Sequence, residues 1–380
     1  MANSRTAQIA GAGLAGLAAA AALAQRGWSV QVYEKGKDLR EIGAGLYLYE
    51  NALNALRELE VFDQIAASGV KMTVPRNLRD HRNRPIKLQR PTDQLPELIV
   101  MLRTELHRIL SERAIALGVD IETDCAVLGA HADGRLEFDS GVGDPAGLII
   151  GADGVFSSVR DSLRLTLEMT ELRDGCGRHL VERLQSDAVN QARLEVWNGG
   201  RRVGIAPASA DQLYVFLCCP ENDIQGRMQQ PFNLEAWVDS HPWYREYLER
   251  LPRHPEERWR PFYNVRCSSW SAGRVAIVGD AAHSMSPNLG QGACVAICNA
   301  VVLARVVTES DDVARGLRMW EASERPYIDI TQRNSNLYGA IGTRWPRALL
   351  DVRTAVLPFI ARFPPVQRSM RAAVDHVPDI

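Results

Sequence analysis

Three glycines near the start of the chain have the spacing of a phosphate-binding turn. Gly11, Gly13 and Gly16 form a GxGxxG pattern, and the acidic Glu34 follows the next apolar segment. In this pattern the first glycine permits a tight turn, the second lets a pyrophosphate approach the backbone, and the third lets the next helix pack closely. The carboxylate of Glu34 can accept hydrogen bonds from ribose hydroxyls. Together these residues predict a site for an adenine dinucleotide.

The elements around the glycines bear on that prediction. Residues 6–10 favour a buried strand, residues 14–26 a helix that stops at Gly27, and residues 29–33 a second strand. A strand, a glycine turn, a helix, a strand and an acid are the context that the dinucleotide fingerprint requires. Two alternatives remain. An uncharged run behind a basic residue is also typical of an export signal or a membrane span. A strand–helix–strand unit can also be purely structural.

Two further acidic turns lie far downstream. A strand at residues 148–150 leads into Asp153, and a helix then begins. A strand at residues 275–278 ends before Asp280, and after a loop at residues 281–289 the sequence predicts a long apolar helix. A helix start offers unpaired N–H groups to an anion or to a carbonyl-rich ring edge, and Asp280 can bond a polyol chain. The alternative for the first turn is a β-turn with an N-capping serine, and the alternative for Asp280 and His283 is a capping and turn role.

Composition limits the class of protein. The 380 residues carry a net charge of −2, and 46% of them are hydrophobic, which is typical of a globular chain of one or two domains. No block of like charge stands out, so we expect neither a nucleic-acid nor a membrane partner. Seven scattered cysteines without a CxxC pair favour reduced thiols and a cytoplasmic location, with Cys294 and Cys298 in the core. The chain has no HExxH or GxSxG motif, so we expect no metal site and no serine nucleophile.

Taken in order, the three motifs resemble those of the single-component FAD-dependent aromatic hydroxylases, over roughly residues 6–333. The resemblance implies a mixed α/β fold. A Rossmann-like FAD-binding domain would be interleaved with an antiparallel-sheet substrate domain and followed by C-terminal helices. The expected FAD-binding domain takes residues 1–72, 100–169 and 264–340, the substrate domain takes residues 73–99 and 170–263, and the C-terminal helices take residues 341–380.

The resemblance also implies a reaction. In the family, NADH or NADPH reduces FAD transiently, O2 adds to the flavin, and the resulting hydroperoxide hydroxylates an electron-rich ring. The stretches LREIGAGLYLYEN, GADGVFSSVRDS and SWSAGRVAIVGDAAHSMSP are similar to the branch that acts on pyridine carboxylic acids. We therefore expect a small hydroxylated aromatic acid as substrate, first of all a hydroxypyridine carboxylate, which is hydroxylated, ring-opened or decarboxylated. The alternatives are a salicylate- or hydroxybenzoate-type hydroxylase and a flavin-binding protein that does not oxygenate.

Family positions carry over to this chain by motif. For the cofactor they are Gly11, Gly13, Gly16, Glu34, Lys35, Arg40, Arg103, Asp153, Asp280, Gly290, Gln291, Gly292 and Ala293. For substrate and catalysis they are Arg178, Arg202, Ser286, Tyr47, Tyr214 and Pro287. An arginine fork matches a carboxylate in shape and charge, which suits the two arginines to an acid.

Each substrate-site assignment has a structural alternative. An arginine on an edge strand is usually solvated, and Tyr214 in mid-strand could belong to the core. Weaker candidates for the pocket are Arg201, Tyr49, His241 and Tyr263. At the end of the chain, an apolar stripe broken by Pro358 and Pro364 predicts short helices that pack on the FAD-binding domain or on a partner subunit. We expect a monomer or a homodimer.

Overall fold

The computed structural model describes residues 5–39, 43–88, 95–190, 192–228, 230–255 and 258–376. The strands in chain order are β1 (Thr6–Ala10), β2 (Ser29–Tyr33), β3 (Gly45–Tyr49), β4 (Val70–Lys71), β5 (Asn77–Arg79), β6 (Leu98–Leu102), β7 (Asp120–Glu122), β8 (Gly129–His131), β9 (Arg135–Phe138), β10 (Gly141–Val142), β11 (Leu148–Gly151), β12 (Thr166–Glu182), β13 (Leu194–Asn198), β14 (Arg201–Pro207), β15 (Gln212–Pro220), β16 (Arg260–Cys267), β17 (Ser271–Ala272) and β18 (Val275–Ile277). The helices are α1 (Leu14–Gln25), α2 (Glu50–Glu58), α3 (Phe62–Ser68), α4 (Arg103–Ala116), α5 (Ser158–Ser162), α6 (Ile224–Arg227), α7 (Leu234–Ser240), α8 (Arg245–Leu248), α9 (Asp280–His283), α10 (Gly292–Glu309), α11 (Val313–Thr343), α12 (Leu350–Ala361) and α13 (Pro364–Arg371).

The first six-stranded sheet carries the glycine turn. Its order is β17-β18-β11-β1-β2-β7, and β1 pairs in parallel with both β11 and β2. The carboxyl ends of these three strands therefore meet at one edge, where α/β folds bind ligands. Helix α1 packs between the sheet and α10, and its run from Ala18 to Ala22 is fully buried because small side chains allow this close approach. The predicted strands at residues 6–10 and 29–33 and the helix between them are confirmed.

The second six-stranded sheet is mostly antiparallel, in the order β16-β12-β15-β14-β13-β5. Strand β5 comes from the predicted early substrate-domain segment and joins this sheet through β13. The predicted domain limits at residues 170 and 263 fall inside β12 and β16, so the sheet extends further along the chain at both ends. Strands β12 and β14 lie in the interior of the sheet, so the alternative that placed Arg178 and Arg202 on edge strands is wrong.

A small sheet joins the two large ones. Its order is β3-β6-β4. Strand β3 contacts both β15 of the second sheet and α10, which packs against α1 beside the first sheet. Strand β3 therefore holds Tyr47 between the dinucleotide turn and the antiparallel sheet. The remaining small sheet, in the order β10-β9-β8, packs through β8 against α5. Together the parallel and antiparallel sheets and the C-terminal helices confirm the expected mixed fold.

Two local predictions were wrong. The segment 281–289, expected as a loop, contains the end of α9 and a 3-10 turn at Pro287–Leu289. Pro358 does not break the chain into two helices, since α12 runs through it. A proline removes one backbone donor, but the turn after it still closes, because Arg362 N–H donates to the carbonyl of Pro358 at 3.3 Å. Pro364, in contrast, begins α13, where a missing N–H costs nothing.

Of the described residues, α10 is the one helix long and apolar enough to cross a membrane by length and composition. Two thirds of it is buried in the protein, where it contacts α1, α2 and α11. A core helix between other layers has the same composition as a membrane span, because it too has no face toward water. The apolar stretch near the start of the chain forms β1 and the equally buried α1.

Candidate active site

One cavity of about 760 Å³ runs from the glycine turn to the antiparallel sheet. Its first part is lined by the carboxyl ends of β1, β2 and β11 and by the start of α10, and its far part by β3 and the face of the second sheet. We call these the dinucleotide part and the sheet part of the cavity. Most of the residues predicted for cofactor and substrate border it, although they come from distant segments of the chain.

The three glycines of the turn have different physical reasons to be glycine. Gly11 has a φ of +100°, and a Cβ there would lie 2.6 Å from the carbonyl oxygen of Ala152. At Gly16 a Cβ would lie 2.0 Å from the carbonyl oxygen of Gly11, so α1 could not pack on the turn. At Gly13 a Cβ would meet no protein atom within 4 Å. The turn is therefore closed toward the protein and open toward the cavity, as a site for a pyrophosphate requires.

Glu34 lies at the end of β2, where its carboxylate is already oriented. One oxygen accepts a hydrogen bond of 2.8 Å from Ala12 N–H, and the other accepts one of 2.8 Å from Gly36 N–H. These bonds fix the carboxylate beside the glycine turn and leave further lone pairs for ribose hydroxyls. Lys35 and Arg103 also line this part of the cavity. His107, which the sequence analysis missed, lines it as well and bonds the carbonyl of Ala12 at 2.8 Å.

Asp153 caps a helix and keeps one oxygen for a ligand. Its Oδ2 accepts a hydrogen bond of 3.1 Å from Val159 N–H at the start of α5, while its buried Oδ1 has no partner in the protein. Such orphaned buried acceptors are rare, and a bound group that donates a hydrogen bond would satisfy this one. Asp280 opens α9 at the same edge of the cavity, after Gly279 with a φ of +61°. The N-capping serine is confirmed, since Ser157 Oγ accepts a hydrogen bond of 2.9 Å from Arg160 N–H, and it leaves Asp153 Oδ1 available.

The start of α10 separates the two parts of the cavity. Gly290 is left-handed, with a φ of +68°, and a Cβ there would lie 2.8 Å from the ring of Tyr47. Gly292 is open to the cavity, and Ala293 lines it. The side chain of Gln291 turns away, because its Oε1 accepts a hydrogen bond of 3.3 Å from Asn51. This leaves backbone N–H groups at the helix start facing the cavity, which suits a carbonyl-rich ring edge.

These features fit FAD. One cavity is lined by four of these features. They are the open turn at Gly13, the oriented carboxylate of Glu34, the unpartnered oxygen of Asp153 and the helix start at Gly292. An extended dinucleotide needs such a series of contacts, from its adenosine end to its ring. Arg40, also predicted as a cofactor residue, lies outside the described residues.

Three rows of directly opposed residues on the antiparallel sheet face the sheet part of the cavity. Across β12, β15 and β14 the register forms the rows Cys176–Cys218–Arg202, Arg178–Phe216–Gly204 and Leu180–Tyr214–Ala206, in which each β15 residue is opposed to the other two. Opposed residues point to the same face of a sheet. The predicted residues Arg178, Arg202 and Tyr214 are thus brought onto one surface by the register of β12, β14 and β15.

Tyr47 and Tyr214 form the aromatic wall of this part. Their ring centroids lie 6.2 Å apart, and Phe216 follows 5.9 Å from Tyr214. Gly45 makes room, because a Cβ there would lie 2.7 Å from the Tyr214 side chain. Burial raises the pKa of both tyrosines, and for Tyr214 the charge of Arg178 lowers it only in part. Both phenols therefore stay protonated and can donate a hydrogen bond to a ring oxygen of a ligand.

Arg202 is held by a buried carboxylate that the sequence analysis did not single out. Its Nη2 donates to Glu195 Oε1 at 2.8 Å, and its Nη1 donates to Asn288 Oδ1. Glu195 Oε2 in turn accepts from Arg76 at 2.9 Å and from Tyr338 at 3.1 Å. Burial alone would raise the pKa of Glu195, but the charges of Arg202 and Arg76 hold it below its usual range. Arg202 thus borders the cavity with its charge already shared by a protein carboxylate.

Glu195 could not be recognised in the sequence. The residue pattern of β13 does not reveal which side chains of other strands and helices bond to it. Arg193 was also missed. It lines the cavity, donates a hydrogen bond of 2.6 Å to the Tyr49 hydroxyl, and lies 5.1 Å from the ring centroid of Tyr47. No local pattern set Arg193 apart, because its partners Tyr47 and Tyr49 come from a distant strand.

Some predicted residues lie elsewhere. Ser286 is buried, bonds Ser335 of α11 at 3.1 Å, and is not among the described residues that line the cavity. Arg201 points to the opposite face of the sheet and pairs with Asp223 at 2.6 Å. His241 is fully buried beside Trp237, away from the cavity.

Four other predicted positions lie on the cavity or in the core. Pro287 lines the cavity beside Asn288. Tyr263 lies at the cavity rim and donates to Glu171 at 2.7 Å. Cys294 and Cys298 are buried in α10.

A cluster of potential metal ligands lies outside the cavity. Asp80, His81 and Asp351 bring one ligand atom each within 4.8 Å of one another. The carboxylates of Asp80 and Asp351 both bind Arg84, and Asp351 also binds Arg82 at 2.9 Å. The two arginines already balance these charges, so we assign no ion to the cluster.

Comparison with known proteins agrees with this geometry. The FAD binding domain family matches residues 4–311. A 2-heptyl-3-hydroxy-4(1H)-quinolone synthase of Mycobacteroides abscessus is 34% identical over 90% of this chain and 92% of its own length. A 3-amino-4-hydroxybenzoate 2-monooxygenase of Streptomyces cremeus is 30% identical over 75% of this chain and 74% of its own length.

A solved structure shows the same architecture. The tetrameric form of 2-methyl-3-hydroxypyridine-5-carboxylic acid oxygenase superposes with a TM-score of 0.86 at 33% identity, over 99% of this chain and 97% of that one. The fold, the cavity with its FAD-binding turn and the family match agree with one another. The chain belongs to the FAD binding domain family and is a single-component FAD-dependent monooxygenase of aromatic substrates.

Proposed function

We propose that the protein hydroxylates a small, anionic, hydroxylated aromatic acid, first of all a hydroxypyridine carboxylate, with NADH or NADPH and O2 as co-substrates. The observation that carries the proposal is an excess of positive charge in the sheet part of the cavity. Arg76, Arg178, Arg193 and Arg202 line it, whereas Glu195 is the one carboxylate among the described residues there. A carboxylate on the substrate would reduce this excess, and an arginine fork suits it in geometry.

The aromatic wall would orient the ring. A flat substrate between Tyr47 and Phe216 would have aromatic faces on two sides, and such contacts favour offset or edge-on rings. Tyr214 keeps its proton because burial raises its pKa, so its hydroxyl can donate a hydrogen bond to a ring oxygen. That bond, together with the charge of Arg178, would stabilise an ionised ring hydroxyl, the form that is richest in electrons. The residues thus bind, orient and activate the ring.

Bound FAD supplies the redox chemistry, since it accepts two electrons from NAD(P)H and brings O2 into reaction. The start of α10 would hold the flavin ring edge through backbone N–H groups, with Pro287 beside it. Tyr47 and the buried Leu194 line the cavity, and their apolar surfaces would limit the access of water to the reacting ring. Exclusion of water strengthens each hydrogen bond to the substrate and limits side reactions.

A second candidate substrate is a 2-alkyl-4(1H)-quinolone. The Mycobacteroides abscessus relative, which covers almost the whole chain, carries this activity in its name. A 4(1H)-quinolone is a bicyclic heteroaromatic with a carbonyl oxygen attached to the ring but no carboxylate. Tyr214 would donate to that oxygen in the same way, while the arginines would have no acid to bind.

A substrate panel separates the two candidates. The FAD-loaded protein is titrated with hydroxypyridine carboxylates, hydroxybenzoates and 2-alkyl-4-quinolones. Binding is followed by the flavin spectrum, turnover by NAD(P)H oxidation, and the product by mass spectrometry for one added oxygen. The proposal requires a pyridine acid to be converted in step with NAD(P)H oxidation. If quinolones alone are oxygenated, the acid proposal is wrong and the second candidate replaces it.

One variant sharpens this test. Arg178→Gln should weaken binding of the acid roughly tenfold or more while FAD stays bound, because a charge-assisted hydrogen bond contributes about 1.5–3 kcal/mol. Arg266→Gln is the matched control, since Arg266 lies on the same sheet but is exposed and pairs with Glu168 at 3.5 Å. Equal affinity of the two variants for the acid would remove Arg178 from the site.

We further propose a cytoplasmic enzyme. The seven cysteines are all free, which supports a reducing compartment. The expectation of a monomer or homodimer is tested by light scattering of the FAD-loaded protein, with the tetramer of the solved relative as the third outcome.

A further inference from the structure

Two cysteines face each other in the wall of the cavity. Cys176 on β12 and Cys218 on β15 are directly opposed in the register of the sheet. Both line the sheet part of the cavity, and each is 4% exposed. Neither has a part in the proposed hydroxylation, so the pair calls for its own explanation.

The register places the pair at the right distance for a disulfide. Directly opposed residues of an antiparallel pair have Cα atoms about 4.5 or 5.5 Å apart, depending on the hydrogen-bonding position. A disulfide needs about 4.4–6.8 Å. Both strands are interior to the sheet, and the neighbouring pairs Arg178 with Phe216 and Arg202 with Cys218 hold the register. A bond between the two sulfurs would therefore close with little movement of the backbone.

The surroundings also make one of the thiols reactive. Burial would raise the pKa of Cys176, but the hydrogen bond with Cys218 and the charges of Arg178 and Arg202 lower it overall. The same interaction with Cys176 raises the pKa of Cys218. A thiolate beside cations is the form of cysteine that reacts with peroxides. Cys176 lies two residues from Arg178 on the same face of β12, and both line the cavity, so we assign Cys176 as the attacking group and Cys218 as the thiol that resolves the product.

We propose that Cys176 and Cys218 are a peroxide-sensitive dithiol, which hydrogen peroxide converts to a disulfide in the cavity wall. The Cys176 thiolate attacks one peroxide oxygen, the O–O bond breaks, and with one proton the products are a sulfenic acid and water. The Cys218 sulfur then attacks the sulfenic sulfur, the S–O bond breaks, and a second water leaves. In sum, two thiols lose two electrons and two protons, and one peroxide becomes two waters.

The disulfide would change the site, since it replaces two thiols next to Arg178 and Arg202 with a group that cannot ionise. A dithiol reductant reverses the reaction by exchange. The inference depends on the position of the two cysteines and not on which aromatic compound is the substrate. Its test therefore uses no substrate, and its failure would leave the proposed hydroxylation untouched.

The test is a peptide map of the FAD-loaded protein. Samples with and without hydrogen peroxide are alkylated, unfolded and digested with trypsin without reduction. We expect peptide 174–178 to be linked to peptide 203–227 after peroxide, with two of the seven free thiols lost and both restored by dithiothreitol. Seven thiols after excess peroxide, or a link between other cysteines, would overturn the proposal.

Cys219 offers a matched control in the same peptide. It is adjacent to Cys218 but points to the opposite face, into the core with Trp237. Cys219→Ala should still form the link, and Cys218→Ala should lose it and instead allow dimedone to trap a sulfenic acid at Cys176. A link that persists in Cys218→Ala contradicts the assignment. If either variant fails to fold, fragmentation of the linked wild-type peptides still shows which of the two sulfurs is bonded.

Discussion

The exchange of Glu195 for glutamine tests whether a single buried carboxylate holds the arginines of the pocket. Glu195 is 3% exposed and accepts hydrogen bonds from Arg76, Arg202, Trp197 and Tyr338. Glutamine has the same shape but no charge, and an amide nitrogen in the place of Oε1 would face Arg202 and Trp197, which can only donate. The buried guanidinium of Arg202 and the partly buried one of Arg76 would then share no counter-charge.

The expected cost follows from this geometry. Removal of one partner from a buried ion pair lowers the free energy of unfolding by about 3–5 kcal/mol, because the remaining charge stays desolvated. The equilibrium constant of unfolding would rise by roughly two to three and a half powers of ten. Glu168→Gln is the control, since Glu168 and its partner Arg266 are both more than half exposed, and exposed pairs contribute about 0–1 kcal/mol.

The assay is urea unfolding of the FAD-loaded protein at pH 7, followed by tryptophan fluorescence. Trp197 donates to Glu195 at 2.7 Å, so the signal includes the site itself. FAD content should be unchanged in the folded variant, because Glu195 belongs to the antiparallel sheet. A Glu195→Gln variant within about 1 kcal/mol of the wild type would show that the carboxylate does not balance the arginines, and the charge argument for the substrate would need revision.

The pH dependence gives the same prediction a second measurement. The folded pKa of Glu195 lies below its usual range, so its contribution is present above the unfolded value of about 4.3 and is lost as pH falls through the folded value. The glutamine variant lacks this contribution at every pH. The stabilities of the two proteins should therefore differ most near neutrality and converge in strong acid. A constant difference down to acid pH would contradict the ionic explanation.

Three further outcomes are expected. Gly13→Ala should fold like the wild type but purify with little FAD, because its methyl group meets only the cavity. Gly16→Ala should instead lose stability, since its methyl group meets the carbonyl of Gly11. Flavin absorbance measures the FAD content of each variant, and thermal melting measures its stability. Equal behaviour of the two variants would contradict the assigned roles. His241 and His283 are buried, and burial lowers the pKa of each to about 4. Each neutral imidazole therefore contributes roughly 3 kcal/mol to the free energy of unfolding. This contribution is complete above about pH 6.5 and is lost as the pH falls toward 4. His241→Gln should flatten the stability curve in this range, and an unchanged slope in urea unfolding from pH 7 to pH 4.5 would refute it. Tyr214→Phe should lower the yield of hydroxylated product per NAD(P)H oxidised while FAD stays bound; an unchanged yield would return this tyrosine to a packing role.

The local elements were predictable from the sequence where one pattern dominates. Alternating or apolar runs predicted β1, β2, β11 and β18, and helix-favouring composition predicted α1, because side-chain periodicity and helix propensity act within a few residues. The predictions at residues 281–289 and at Pro358 failed because packing against neighbouring elements outweighed local signals.

The sequence by itself determined that this chain has a glycine turn followed by an acid, two further acidic turns, and a composition with no sign of a charged or lipid partner. Tertiary structure decided what these features do together. It turned Gln291 and Ser286 away from the cavity and left one oxygen of Asp153 without a partner. It also paired Arg202 with Glu195 and set Cys176 against Cys218. Such relations depend on which residues of distant strands are opposed, and register between strands is set by the packing of whole faces rather than by any short stretch of sequence.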